Sequence, residues 1–184
     1  MMMPTASWGM WFVRQSPGIQ EQGEPVENAL RSREHILEQL EGFPADLERV
    51  VFADHVTAED IYRPGSDGGW GIAEILPHLR DWEEIYFERA RRIVNEDDPH
   101  IPGYDDSLWP IERNYSGQDP AEVFEEFRAL RGEHLEFLIG LAPEQWQRTG
   151  EHSMLGTITL HFMENTVCDR DLERLAQARE VLAG

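Results

Sequence analysis

Four stretches of this chain place apolar residues every three or four positions, and each is bounded by proline- or glycine-rich breaks. That periodicity belongs to amphipathic helices. The first stretch begins after Pro25 and carries Leu30, Ile36, Leu37, Leu40, Leu47, Val50 and Val51, with Gly42-Phe43-Pro44 inside it. Proline removes an amide donor and crowds the preceding turn, so a kink or short break is expected there. The Arg63–Gly69 run is a loop. The second helix is expected from Trp70 to about Asn95, with Ile72, Ile75, Leu79, Trp82, Tyr86 and Ile93 on one face and Glu83, Glu84, Glu88 and Arg91 away from it; Pro77 predicts an irregularity one turn in. A third helix opens with Asp119 as cap, Pro120 in the first turn and Glu122 to complete a capping box. Its stripe is Val123, Phe127, Leu130, Phe137, Leu138 and Leu141, and it ends at Ala142-Pro143. The fourth runs from about Thr157 to Leu182.

Between the second and third helices lies a long connection, residues 96–118, in which Tyr104 and Trp109 are positioned to pin the chain down. No stretch reads as a sheet; only Thr157–Leu160 has β-like residues. The expected fold class is therefore all-α, a four-helix bundle with a long crossover between helices two and three, over residues 25–184. Residues 1–24, with Trp8, Trp11 and Phe12 among prolines and glycines, read as an N-terminal tail.

With 16 basic and 36 acidic residues the formal charge is −20, and every basic residue is arginine. This balance disfavours nucleic acid and anionic membranes as partners, because both need a basic face. No apolar run approaches the ~20 residues of a membrane span, and the N-terminus has neither a basic region nor an apolar core typical of a signal peptide. With a single cysteine, Cys168, the chain has no disulfide framework, and a cytoplasmic location is expected.

The phosphate loop, the dinucleotide fingerprint, His-Glu-x-x-His and Gly-x-Ser-x-Gly are all absent. His78 lies at the edge of the second helix's apolar face, where a histidine serves as a metal ligand, a base or, more commonly, a satisfied core group. Arg170 and Arg174 stand one turn apart on the apolar side of the fourth helix, where a guanidinium needs a carboxylate or an anionic ligand. An internal salt bridge is the commoner outcome, with Glu74, Glu83 or Glu133 as partner. Asp169 and Asp171 flank Cys168 and blunt its nucleophilicity. His161, Glu164 and Cys168 share one helix face with Asn165 beside them; that set has zinc-type donors but reads more simply as a polar outer face. His35, His55, His100, His134 and His152 have no ligand-spaced neighbour and receive no role.

The run Trp70-Gly71-Ile72-Ala73-Glu74-Ile75-Leu76-Pro77-His78-Leu79-Arg80-Asp81-Trp82-Glu83 resembles the signature of the DinB-like (DinB/YfiT-like) superfamily. The resemblance continues in Leu141–Trp146, Arg148–His152 and Gly156–Leu160, and spans residues 26–182. It implies the same four-helix bundle and, in many members, a homodimer. It also implies a divalent metal, often zinc or nickel, held by one histidine on the second helix and a His-x-x-x-His pair on the fourth, commonly followed by Gln. Activities implied by the resemblance are thiol-dependent transfer or isomerisation and hydrolysis. His78 matches the first ligand. Counted without gaps from Gly156, the histidine pair falls on Arg170 and Arg174, with Asp171, Leu175 and Gln177 matching the flanks; a gapped alignment places it on Cys168 and Leu172. The ungapped count is preferred because it retains the Gln.

Guanidinium has no lone pair to offer a cation. The resulting expectation is a bundle without the usual three-histidine metal site and without a cofactor, whose His78, Arg170 and Arg174 are closed by ion pairs or bind a small anionic molecule. The alternatives are a metal-dependent enzyme of the low-molecular-weight-thiol transferase type, using His78 with zinc or nickel and unusual ligands such as Cys168, His161 or Glu164, and a dimeric stress-response module without catalysis.

Overall fold

A computed structural model describes residues 30–65 and 68–184. The N-terminal tail expected over residues 1–24 lies outside the described residues. Four long helices form the body: α1 (Arg33–Val51), α3 (Ile72–Asn95), α5 (Pro120–Ile139) and α6 (Leu160–Ala183). Short helices α2 (Ala58–Ile61) and α4 (Trp109–Glu112) sit in the connections. The caps follow the sequence. The Ser32 hydroxyl accepts from the His35 amide, Asp119 accepts from the Ala121 and Glu122 amides, and Thr159 accepts from the Phe162 amide. Each satisfies a donor that the first helical turn leaves open.

Two apolar clusters fill the bundle. One contains Ile36 and Leu40 of α1, Trp82, Tyr86 and Ile93 of α3, Leu138 of α5, and Leu160, Met163 and Val167 of α6. The other contains Leu47 and Val51, Ile72 to Leu79, Val123 to Phe127, and Leu175 to Val181. The order of these residues along each helix fixes its direction: α1 and α6 run from the first cluster to the second, and α3 and α5 run back. Because α3 and α5 are parallel, their connection must return the length of the bundle, and residues 96–118 do so. Between the clusters lies a buried polar level of Glu83, Arg131 and Asp171.

Two expectations are corrected. Gly42-Phe43-Pro44 does not break α1, which passes through Pro44 as one helix. Pro44 cannot donate to the carbonyl four residues back, at Leu40, and the Arg131 guanidinium takes that carbonyl instead at 3.3 Å. A small sheet is also present. Strand β1 (His100–Ile101) pairs in parallel with β2 (Thr149–His152), which pairs antiparallel with β3 (Gly156–Thr159). Its strands are too short to show a period of two, and β2 contains Gly150. Packing explains that glycine: a Cβ there would lie 2.9 Å from Ile101 Cγ1 and 3.1 Å from Ile93 Cγ1. The sheet thereby anchors the start of the crossover to the entry of α6.

Candidate functional site

His78, Arg170 and Arg174 converge on one cavity, lined also by Leu79, Trp82, Glu83, Tyr86, Val167 and Asp171. Helix α3 brings His78 there because its start is fixed. The Gly71 amide donates to the Glu74 carboxylate at 3.0 Å, and a Cβ on Gly71 would sit 2.2 Å from the Arg63 carbonyl oxygen. Helix α6 brings Arg170 and Arg174 on successive turns.

The group that meets them is Asp106, from the crossover. Its Oδ2 lies 2.8 Å from His78 Nε2 and 2.8 Å from Trp82 Nε1. Burial alone would raise this carboxyl, but the hydrogen bonds from His78 and Trp82 and the Arg170 charge outweigh it and hold Asp106 down at about 2. Burial takes His78 the other way, to about 4; the Arg174 and Arg170 charges add to the fall and the bond to Asp106 opposes it. At neutral pH His78 is therefore an uncharged imidazole facing an acceptor-only carboxylate, which places its proton on Nε2. Trp70 packs against the imidazole with ring centroids 4.4 Å apart.

Arg170 lies over the Trp82 ring at 4.1 Å, donates to the Tyr86 hydroxyl at 3.3 Å and approaches Asp106 Oδ2 at 3.9 Å. Arg174 lies over Trp70 at 4.9 Å and donates to the Gln177 side-chain oxygen at 2.7 Å. No described carboxylate forms an ion pair with Arg174. Burial and the neighbouring Arg170 charge lower its guanidinium to about 10, against the pull of Asp106 and Glu173. Of the three carboxylates at the cavity, Glu83 and Asp171 are bound by Arg131, which leaves Asp106 as the one shared by Arg170 and Arg174.

The partners expected for the arginines are corrected. Glu74 caps α3, Glu133 is exposed, and Glu83, expected on the outer face, is buried on a different arginine. Arg131, 2 % exposed, donates to Glu83 at 2.8 Å and to Asp171 at 2.7 and 3.2 Å. His134, given no role from sequence, stacks on Phe87 and reaches Glu83 Oε1 at 2.9 Å and Glu164 Oε1 at 3.4 Å. Burial would lower this imidazole, but Glu164 and Glu83 raise it to about 9. Burial lifts Asp171 to about 6 against the attraction of Arg131.

The set of Glu164, Asn165 and Cys168 is buried rather than on an outer face. Cys168 packs against the Ile36 carbonyl, and burial pushes its thiol up to about 12, which leaves it unreactive at neutral pH. His161 contacts the Arg31 carbonyl at 2.7 Å. The zinc-type donors of that face are thus engaged apart from one another.

A divalent cation fits this cavity poorly. Of the carboxylates around it, Glu83 and Asp171 are bound by Arg131, while His78 and Asp106 bind each other. Arg170 and Arg174 beside them are guanidiniums, which repel a cation and cannot coordinate it. Among the described residues no three His, Cys, Asp or Glu side chains are arranged to hold a metal ion, and no helix is long and apolar enough to cross a membrane.

Comparison with known proteins places this geometry in a family. The sequence model of the DinB superfamily matches residues 39–167. "Putative metal-dependent hydrolase YfiT" of Bacillus subtilis is 27 % identical over 116 residues, an alignment spanning 63 % of this chain and 64 % of that protein. The similarly named OB0782 of Oceanobacillus iheyensis is 25 % identical over 125 residues, spanning 67 % of this chain and 70 % of its own length. The solved structure of Bacillus subtilis YfiT, described as a four-helix bundle of unusual topology, superposes with a TM-score of 0.76 at 22 % identity, covering 89 % of this chain and 91 % of that one. Sequence and fold agree: the chain belongs to the DinB superfamily.

Proposed function

We propose that this DinB-superfamily bundle has exchanged the metal centre implied by its family resemblance for a pocket that binds a small anion between Arg170, Arg174 and His78. The observation that carries this reading is Arg174, a partly buried guanidinium at the cavity with no carboxylate of its own among the described residues. A buried cation left without a counter-charge is costly, and an anionic ligand relieves that cost. His78, neutral and protonated on Nε2, acts as a hydrogen-bond donor in this pocket rather than as a ligand or base.

The test is thermal unfolding in sulfate, phosphate and acetate at constant ionic strength. At least one anion raises Tm of the wild type, and Arg174→Gln abolishes that rise. A rise that persists in Arg174→Gln refutes the assigned site. The second reading, metal-dependent chemistry, draws support from the names of the relatives and from the His78–Asp106 pair, both metal-type donors. Metal analysis of untagged protein separates the two: stoichiometric zinc or nickel, lost in His78→Ala, favours the second.

A further inference from the structure

On the anion-pocket reading, Asp106 stands beside the cavity against His78 and Arg170. Resting on that reading, we propose that Asp106 is a tethered competitor holding the seat of a monocarboxylate ligand with an apolar body, and that the ligand enters by displacing it.

Four observations carry this. The seat is complete: one oxygen of Asp106 receives the His78 and Trp82 N–H groups at 2.8 Å each, with the Arg170 guanidinium 3.9 Å away. The cavity lined by His78, Arg170 and Arg174 is about 10 Å³, room for one water and too small for a carboxylate.

Third, the segment carrying Asp106 is held at its flanks rather than at its centre. On one side Arg89 donates to the Pro102 carbonyl and the Gly103 amide to Ser153 Oγ; on the other Arg113 and the Tyr115 hydroxyl donate to Asp81. Between them residues 104–106 lack regular structure, and the amides that bond to this stretch are local ones, Ser107 to the Asp105 carboxylate and Trp109 to the Asp106 carbonyl. Asp106 is itself partly open to solvent, so the way out is outward.

Fourth, withdrawal of Asp106 leaves the indole N–H with a partner. Trp82 Nε1 lies 3.0 Å from His78 Nε2, which accepts the indole N–H once the imidazole proton moves to the other nitrogen.

The chemistry of the ligand follows from the seat and its walls. Two neutral ring N–H groups converge on one oxygen of the Asp106 carboxylate, and a ligand carboxylate in that position takes the same two donors. The half-exposed Tyr104 packs edge to face on Trp82 and on the buried Trp109 and offers its ring to an apolar body. Arg174, without an ion pair, supplies the charge that Asp106 does not neutralise.

A titration of acetate and phenylacetate followed by tryptophan fluorescence tests this, with sulfate at matched ionic strength as comparison. A tethered side chain competes at an effective concentration of about millimolar or above. Asp106→Ala is expected to bind phenylacetate at least tenfold more tightly than wild type, and phenylacetate more tightly than acetate or sulfate. Asp106→Asn keeps the shape and an acceptor oxygen but removes the charge, so it too binds more tightly, and it serves if the alanine variant does not fold. Equal affinity in wild type and the folded variants overturns the competitor while the anion pocket stands. Tighter sulfate than phenylacetate binding in Asp106→Asn overturns the assigned ligand class. No binding of any anion to any of the three proteins overturns the pocket itself.

Discussion

Replacing Arg131 by methionine isolates the energetic role of the buried polar level. The side chain is 2 % exposed and makes three kinds of contact: the Glu83 carboxylate, the Asp171 carboxylate, and the Leu40 carbonyl that Pro44 leaves without its helical donor. Methionine fills most of the same volume with a flexible apolar chain, so the cavity contribution is small. Removing one partner of a buried ion pair costs about 3–5 kcal/mol, and an orphaned buried carbonyl adds about 1–3 kcal/mol. Part of the first cost is recovered because Asp171, already lifted to about 6, takes up a proton once its cation is gone. A net loss on the order of 4 kcal/mol follows, a fall in Tm of roughly 8–16 °C for a domain of this size. Urea unfolding with near-ultraviolet circular dichroism measures it. The deficit must also shrink as pH falls from 7 to 5, because Glu83 keeps His134 while Asp171 loses its ion pair, and protonating Asp171 removes the charge that makes it costly. A loss below about 1 kcal/mol, or a deficit insensitive to pH, refutes the reasoning.

The remaining predictions concern single groups. His134 is raised in the folded state to about 9, so its contribution is complete below the unfolded value near 6.5 and is lost as pH rises through 9; His134→Gln removes that alkaline slope from a stability profile. His78 is depressed to about 4, so between pH 6.5 and 4 the unfolded chain binds the extra proton and stability falls with acid; NMR titration of its ring shows no charge change above pH 5.5 in wild type and an upward shift in Arg174→Gln. Gly71→Ala drives a methyl to 2.2 Å from the Arg63 carbonyl oxygen, and the expected loss of about 1–3 kcal/mol reads out in denaturant unfolding, with no loss as the contrary result. Chelator treatment of untagged protein leaves Tm unchanged; a fall reversed by zinc or nickel contradicts the metal-free reading.

Periodicity found the bundle because each helix presents a stripe to the core, and it singled out His78, Arg170 and Arg174 because they stand on or at the edge of those stripes. It missed what depends on tertiary contact. Asp106 lies in a segment without period, and nothing local ties it to a histidine 28 residues earlier. Arg131 and His134 were legible in principle: Phe127, Arg131, His134 and Leu138 follow one helical face, and polar residues on that stripe signal a buried network. Reading only the apolar members of the stripe hid them. The same bias set Glu83 on the outer face, although it follows Trp82 directly on a helix apolar around much of its circumference. The sheet escaped because strands of two to four residues arise from the packing of Gly150 against Ile93 and Ile101, which no local window contains.

The central claim is that the cavity between α3 and α6 takes an anion where a cation would be expected. The most direct test is a crystal structure of untagged protein grown with zinc and 4-bromophenylacetate, read by anomalous scattering at both edges. The account predicts a bromine signal at the cavity beside Arg170 and Arg174, with Asp106 withdrawn from His78 and no zinc there. A zinc ion ligated by His78 and Asp106 would contradict it.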